Sequence, residues 1–157
     1  MYTLLMSQLR ILARTLVIDH SNRILLVRNR DANFWYPPGG QWEYEDETIT
    51  ECASREVKEE TGYSVEVERL LWLQEFHVEG KIFFETFWLS RLDQSNEQSS
   101  NSDKHIDLDP DGMVEEAKWY TQSELANLKV FPERVKQYQN YIEKQTDIDN
   151  PFIGTFK

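Results

Sequence analysis

The chain has 157 residues and a mass of 18.7 kDa, the size of one ordinary domain, so residues 1–157 are predicted to form a single domain. A hydrophobic fraction of 39% with 13% aromatic residues is enough for a packed core and excludes a disordered chain. The net charge of -11 argues against a nucleic acid or a phospholipid surface as a partner, so a substrate that carries phosphate would need a metal cation as intermediary.

Two short strands are predicted near the amino terminus. Residues 11–19 and 23–30 are rich in β-branched residues and leucine and are separated by a turn-like cluster. Arg10 and Arg14 interrupt the apolar amino-terminal stretch well before the roughly 20 residues that a membrane span needs. The stretch also lacks the basic start and the uninterrupted apolar run of a signal peptide, so a cytoplasmic location is expected.

Residues 48–61 carry the clearest helix signals in the sequence. Thr48 and Glu51 have the spacing of a capping box, and Gly62 stands where a left-handed carboxyl-terminal cap belongs. The single cysteine, Cys52, falls among the apolar positions of this helix and is predicted to be a buried structural thiol. One cysteine excludes an internal disulfide framework and a multi-cysteine zinc site, and it is typical of a reducing compartment.

The rest of the chain predicts more strands and helices. Residues 64–78 and 81–92 are typical of two long strands joined by a tight turn, and residues 93–105 are polar and low in complexity, which predicts a flexible loop. Strands on both sides of a central helix indicate an α/β layered domain. The last predicted elements are a strand at 115–121, a short helix at 121–128 and a longer helix at 131–145.

The acidic side chains of the central helix are not all predicted to face solvent. At about 100° per residue, Glu56 and Glu60 fall inside an apolar arc of roughly 140°, while Arg55 and Glu59 lie at its border. The apolar members of this arc are Ile49, Cys52, Ala53 and Val57. The opposite arc, predicted to be exposed, holds Thr50, Glu51, Ser54, Lys58 and Thr61.

Two inward carboxylates four residues apart indicate a metal site. They would repel each other and lose hydration, which raises their pKa values unless a cation stabilises the charged forms. Carboxylates without His or Cys are hard oxygen ligands and select Mg²⁺ or Mn²⁺. Arg55 would extend a helical ladder with Glu51 and Glu59, or orient the metal ligands, and the two interpretations are compatible.

The segment 55–63, REVKEETGY, resembles the signature of the Nudix hydrolase family, also called MutT-like. That signature is a glycine, five residues, a glutamate, seven residues and then R-E-U-x-E-E-x-G-U, where U is a bulky apolar residue. Residues 40–63 are therefore identified as the Nudix box. The family fold is an α/β/α sandwich with a mixed β-sheet between helices, which agrees with the layered prediction.

The loop of the box departs from the pattern by one residue. Counting back from Arg55 places the glutamate of the pattern at Glu47, whereas counting forward from Gly40 places it at Asp46. Either Asp46 or Glu47 therefore takes this place.

The resemblance implies hydrolysis of the pyrophosphate bond of a nucleoside diphosphate linked to another moiety, or of a nucleoside triphosphate, with Mg²⁺ or Mn²⁺. Arg55 would orient the glutamates, Glu47 is a further catalytic candidate, and Glu59 is favoured as the general base. The implied metal-binding set is Glu56, Glu59, Glu60 and the carbonyl of Gly40. The glutamates outside the box that are alternative bases are Glu79, Glu115 and Glu116.

The substrate is less well defined by the sequence. Trp42 and Tyr44 lie in the glycine loop and are candidates for stacking on a substrate base, while core packing explains them equally well. The proline or tyrosine that marks ADP-ribose or diadenosine-polyphosphate hydrolysing members is missing between Tyr63 and Pro110.

A small nucleotide derivative is the expected partner, with no nucleic acid and no membrane. A homodimer is possible, because the sequence does not define the oligomeric state. The alternative function is a non-hydrolytic Nudix-like module that binds a nucleotide or regulates a partner; loss of box carboxylates would favour it, and none is lost here.

Overall fold

The computed structural model describes residues 9–94, 112–143 and 152–156. Apart from Asp93 and Gln94, the loop predicted at residues 93–105 lies outside this part of the chain. The described strands are β1 (Leu9–Ile18), β2 (Ile24–Asn29), β3 (Gly39–Gln41), β4 (Val65–Val78), β5 (Lys81–Leu92), β6 (Val114–Tyr120) and β7 (Phe152–Phe156). The described helices are α1 (Ile49–Thr61), α2 (Gln122–Leu125), a 3₁₀ helix (Glu133–Gln137) and α3 (Tyr138–Glu143).

Most predicted elements are confirmed, and the exceptions have physical reasons. The sequence predicts neither β3 nor β7, because both strands are short and are defined by pairing with partners distant in the chain. The helix predicted at 131–145 begins as a 3₁₀ helix after Pro132, a start that has no side-chain cap, and turns α-helical only at Tyr138.

The described strands form one mixed sheet in the order β6-β2-β1-β5-β4-β7, and β3 pairs with β1 beside this path. The pairs β1–β5 and β4–β7 are parallel, and the other pairs are antiparallel. The predicted mixed-sheet α/β class is therefore confirmed.

The edge of β1 opposite β5 explains where the glycine loop lies, because β2 and β3 share that edge. The end of β1 pairs with β2 at Val17 and Ile18, whereas its earlier part pairs with β3, where Ala13 is opposite Gly40 and Arg14 is opposite Gly39. Because β2 diverges from β1 after its first residues, β3 takes the vacated edge. The glycine loop is thereby fixed against β1 by strand pairing.

Alternating side chains of β1 supply the cores on the two sheet faces. Leu16 and Ile18 belong to a core with residues of α2 and α3, such as Leu125 and Tyr138. Val17 belongs to a second core that includes Val57 of α1. The sheet is thus covered by α1 on one face and by the later helices on the other, as in an α/β/α sandwich.

The ends of α1 are those that the sequence predicts. Thr48 Oγ1 accepts the backbone N–H of Glu51 at 3.3 Å, and the Glu51 carboxylate accepts the backbone N–H of Thr48 at 2.7 Å. Gly62 is left-handed with φ of 74°. Both the capping box and the glycine cap are confirmed.

The predicted exposure of one residue in α1 is wrong. Thr61 is buried, and its hydroxyl is satisfied there because Oγ1 donates to the carbonyl of Val57 at 2.6 Å and accepts the backbone N–H of Tyr63 at 3.3 Å. A hydroxyl that bonds within the last helical turn does not need solvent, so position on the wheel alone misplaced it.

No helix among the residues that the structure describes has the length and apolarity needed to span a membrane.

Candidate functional site

A cavity of about 1130 Å³ lies between α1, the glycine loop and the strands β1, β4 and β5. One group of lining residues comes from the box and from the glycine directly before it: Gly39, Gly40, Arg55, Glu56, Glu59 and Glu60. A second group consists of phenylalanines: Phe34, Phe76, Phe83 and Phe131. The cavity therefore brings charged and apolar surfaces to one space.

Arg55 is the centre of the acidic group. Its Nη1 donates to Glu56 Oε1 at 2.8 Å and to Glu59 Oε2 at 3.0 Å. On its other side the guanidinium binds Glu47 in a bidentate way, with Nε to Oε2 at 2.9 Å and Nη2 to Oε1 at 2.8 Å. These bonds, led by the hydrogen bond to Glu47, raise the pKa of Arg55 above its usual range. One cation thus holds three carboxylates.

The loop before α1 resolves which acid faces Arg55. The backbone amides of Asp46 and Glu47 both donate to the carbonyl of Glu43, at 3.0 and 3.2 Å, so a turn accommodates the extra residue. Asp46 is exposed, whereas the Glu47 side chain is bound to Arg55. The hydrogen bond from Arg55 lowers the pKa of Glu47. Of the two alternatives, Glu47 is the one that joins the cluster.

Glu56 points inward, as the wheel predicts. Its side chain is 14% exposed, and burial, followed by the nearby carboxylates Glu59 and Glu47, raises its pKa against the opposing effect of Arg55. Its carboxyl group lies against Gly40, where a Cβ would come within 2.5 Å of Glu56 Cδ. The Glu56 carboxyl group therefore occupies the space that a side chain at position 40 would need.

Glu60 is held by the other glycine of the pair. Its Oε2 accepts the backbone N–H of Gly39 at 3.0 Å, and its side chain is half-buried. The glycine loop thus contacts Glu60 through Gly39 and Glu56 through Gly40. The predicted metal-binding residues lie around one loop end and one helix face.

The donor chemistry of this group suits a hard divalent cation. It consists of carboxylates and backbone carbonyl groups, and Glu56 is a half-buried carboxylate with a raised pKa, which an added cation would stabilise. Within residues 9–94, 112–143 and 152–156, no three His, Cys, Asp or Glu side chains already converge as metal ligands. In this arrangement Arg55 provides the positive charge near the carboxylates.

The two aromatics proposed for substrate stacking lie elsewhere. Trp42 packs against Ala13, Cys52 and Ala53, and its indole N–H donates to the carbonyl of Glu47 at 2.9 Å. Tyr44 is 71% exposed and contacts the Trp42 ring. Neither residue lines the cavity.

The aromatic wall of the cavity comes from three separate parts of the chain. Phe76 and Phe83 face each other across the β4–β5 hairpin, and Phe131 packs edge-on against both Phe34 and Phe76. Phe76 of β4 lines the cavity. Counting from the Glu79–Gly80 turn would have paired Phe76 with Phe83, but the contact with Phe131 has no local sequence signal.

The glutamates considered as alternative bases lie outside the cavity. Glu79 lies in the exposed turn between β4 and β5. Glu115 and Glu116 both pair with Arg28, at 2.8 and 2.5 Å. None of the three lines the cavity.

The family model described as NUDIX domain matches residues 9–141. A Caenorhabditis elegans protein named for nudix hydrolase activity is 35% identical over 96 residues, which are 61% of this chain and 23% of that protein. A Bacillus subtilis protein named for 8-oxo-dGTP diphosphatase activity is 42% identical over 52 residues, 33% of this chain and 34% of that protein. The matched segments span about a quarter and a third of these curated relatives.

Solved structures support the same fold. A UDP-X diphosphatase structure has a TM-score of 0.61 at 18% identity, with coverage of 94% of this chain and 66% of that chain. An ADP-ribose pyrophosphatase from Streptococcus suis has a TM-score of 0.58 at 16% identity, covering 94% and 98%. A MutT protein from Methanosarcina mazei has a TM-score of 0.63 at 18% identity, covering 87% and 96%.

Proposed function

This chain belongs to the NUDIX family, and from that premise we propose that it is a hydrolase of pyrophosphate bonds that depends on a divalent metal. The observation that carries the proposal is the clamp of Arg55 on Glu47, Glu56 and Glu59 beside a glycine loop, at the wall of a large cavity. The substrate class is a nucleoside diphosphate linked to another moiety, or a nucleoside triphosphate. The whole of residues 1–157 is proposed to act as one hydrolase domain.

The metal would be held by the side chains of Glu56, Glu59 and Glu60 and by the carbonyl of Gly40. These are oxygen ligands, which Mg²⁺ and Mn²⁺ prefer. When bound, the ion supplies positive charge that offsets the charge developing on the pyrophosphate oxygens and favours ionisation of the attacking water. Gly40 matters here because any larger residue would occupy the space of the Glu56 carboxylate.

Arg55 and Glu47 would orient the metal ligands, and Glu59 has a second proposed role in accepting a proton. Glu59 is the proposed base, because Arg55 binds its Oε2 while its Oε1 has no hydrogen-bond partner in the part of the chain that the structure describes. Arg55 fixes the direction of Glu56 and Glu59. Glu47 fixes Arg55 in turn through two parallel bonds, the geometry that holds a guanidinium most firmly.

The cavity supports a small organic diphosphate as substrate. Its aromatic wall offers apolar surface for a base or another flat group, and its acidic end offers the metal ligands for a diphosphate. The net charge of -11 disfavours a nucleic acid or a membrane as partner. A cytoplasmic location stays a prediction, and a homodimer stays one of the possible oligomeric states.

The proposal is tested by a screen of nucleoside triphosphates and of nucleoside diphosphates linked to sugars, nucleosides or coenzymes, with Mg²⁺, with Mn²⁺ and with EDTA. Phosphorus NMR identifies the products. Metal-dependent hydrolysis of a pyrophosphate bond supports the proposal. Binding of the same compounds without turnover under any condition would favour the nucleotide-binding or regulatory module instead.

A further inference from the structure

Arg14 of β1 lines the cavity between the box and the aromatic wall. Its guanidinium lies 5.3 Å above the ring of Tyr36, close enough to Glu60 for the charge of Glu60 to act on it, and its Nη1 approaches the carbonyl of Pro37 at 3.5 Å. Arg14 is paired in the sheet with Gly39. This strand position places a positive charge next to the residues proposed to hold the metal.

A buried hydrogen-bond network holds the Arg14 guanidinium in place. Its Nε donates to Glu85 Oε1 at 3.0 Å, Gln74 donates to Glu85 Oε2 at 2.9 Å, and the indole of Trp72 donates to Gln74 at 3.3 Å. The Glu85 side chain is 5% exposed and Gln74 and Trp72 are buried in the sheet. The guanidinium is therefore fixed by groups of the core rather than by mobile surface residues.

Stability alone does not explain this ion pair. Burying two charges costs about as much as their attraction returns, and apolar side chains of similar volume are often at least as stabilising. Arg14 nevertheless stays 20% exposed, and its Nη2 has no hydrogen-bond partner among the described residues. The network holds one edge of the guanidinium and leaves donors available to a ligand in the cavity.

The other cations that line the cavity are less suited to a substrate. Arg55 already binds three carboxylates. Lys129 is exposed and its Nζ donates to Asn33 at 3.1 Å. Arg14 is thus the lining cation in the described part of the chain that is both held rigidly and still able to donate.

We propose that Arg14 binds the substrate phosphate that lies next to the organic group, and that Glu85 and Gln74 hold its guanidinium for that purpose. This inference rests on the proposed function. A planar guanidinium with free N–H groups binds phosphate oxygens strongly and in a defined direction. The metal-site carboxylates would then face one phosphate and Arg14 the other, while the organic group lies against the aromatic wall.

Steady-state kinetics on the best substrate from the screen compare Arg14→Lys and Arg14→Met with the wild type. The control is Arg23→Met, because Arg23 also pairs with a buried carboxylate, Asp19, and stacks over a ring, Trp119, but lies outside the cavity. Arg14→Met is expected to raise KM about 10- to 100-fold with kcat changed by less than about threefold, and Arg14→Lys to give an intermediate KM. Arg23→Met leaves KM within about twofold of the wild type.

The double variant Arg14→Met/Glu85→Met separates binding from folding, because it leaves no unpaired charge in the core. Its urea midpoint is expected to be at or above that of Arg14→Met, with KM still raised. An unchanged KM in Arg14→Met, or an equal rise in Arg23→Met, would overturn the inference while hydrolysis by the wild type stood.

A second probe does not need turnover. Calorimetry measures methylenediphosphonate binding with Mg²⁺ to the wild type and to Arg14→Met, and the variant is expected to bind about 10- to 100-fold more weakly. If the wild type binds and Arg14→Met binds equally, the inference is wrong. If binding depends on Arg14 but no compound is hydrolysed, the inference stands and the hydrolytic proposal fails; if the wild type does not bind the probe, the inference is refuted.

Discussion

The adjacent glycines Gly39 and Gly40 are predicted to respond differently to alanine: the change at Gly40 should lower activity, and the change at Gly39 should lower stability. At Gly40 the added Cβ would lie 2.5 Å from Cδ and Oε2 of Glu56 and 2.6 Å from Oε1. At Gly39 it would lie 2.2 Å from the backbone oxygen of Ala13 and 2.6 Å from the Cα of Arg14. The first obstacle is the end of a flexible side chain, and the second is the backbone of a paired strand.

These obstacles set the magnitudes. In Gly40→Ala the Glu56 side chain can rotate away at a cost of about 0.5–1.5 kcal/mol, which the smaller chain entropy of alanine in the unfolded state offsets by about 0.4–1 kcal/mol. Stability should stay within about 1 kcal/mol of the wild type, while displacement of Glu56 lowers activity about 10- to 100-fold. In Gly39→Ala the φ of +153° alone costs about 1–3 kcal/mol, and the backbone clash adds to it.

Urea unfolding gives the free energy of unfolding of each variant, and hydrolysis rates over a Mg²⁺ titration give its activity. Gly40→Ala should unfold near the wild-type midpoint and need more Mg²⁺, whereas Gly39→Ala should unfold at clearly lower urea or fail to fold. Wild-type activity in Gly40→Ala would refute the assignment of that space to Glu56. A Gly39→Ala protein as stable as the wild type would refute the packing of β3 on β1.

Two further predictions concern α1. Burial raises the pKa of the Cys52 thiol to about 12, so 5,5′-dithiobis(2-nitrobenzoic acid) at pH 8 should label Cys52 in urea but not in the folded protein; rapid labelling of the folded protein would show that the thiol is not packed as described. Thr48→Ala removes the capping box and should lower the free energy of unfolding by about 1 kcal/mol, measured by urea unfolding, whereas the same change at Thr121, which caps the short α2, should cost less; equal losses would contradict the importance of the cap to α1.

The parts of the fold that the sequence predicted are those set by local rules. The capping box and the glycine cap fix both ends of α1, and the helical period places Glu56 inward. The hairpin β4–β5 follows from alternating residues on both sides of the Glu79–Gly80 turn. Each of these signals lies within a few residues of the structure that it specifies.

The parts that the sequence did not predict depend on contacts between distant segments. Trp42 and Tyr44 lie within the box but outside the cavity, whereas the aromatic wall of the cavity forms where Phe131 contacts Phe34 and Phe76. The choice between Asp46 and Glu47 was also open, since it depends on a turn that only tertiary geometry defines. Proximity along the chain was a poor guide to the cavity.

The role proposed for Arg14 also depends on contacts that the local sequence does not predict. In the sequence it only interrupts an apolar stretch and counts against a membrane span. Its significance comes from Glu85, which lies 71 residues further along the chain and is itself bound by Gln74 of the neighbouring strand. Nothing local to residues 11–19 predicts these partners.

The most direct test of the account is the hydrolysis rate of Glu60→Gln on the best substrate with saturating Mg²⁺ or Mn²⁺. The control is Glu66→Gln, which alters an exposed carboxylate of β4 outside the cavity. The account predicts a loss of at least about 100-fold in Glu60→Gln, with unchanged stability, and a rate within about twofold of the wild type in Glu66→Gln. Full activity in Glu60→Gln would contradict the assignment of this carboxylate to the metal and, with it, the proposed mechanism.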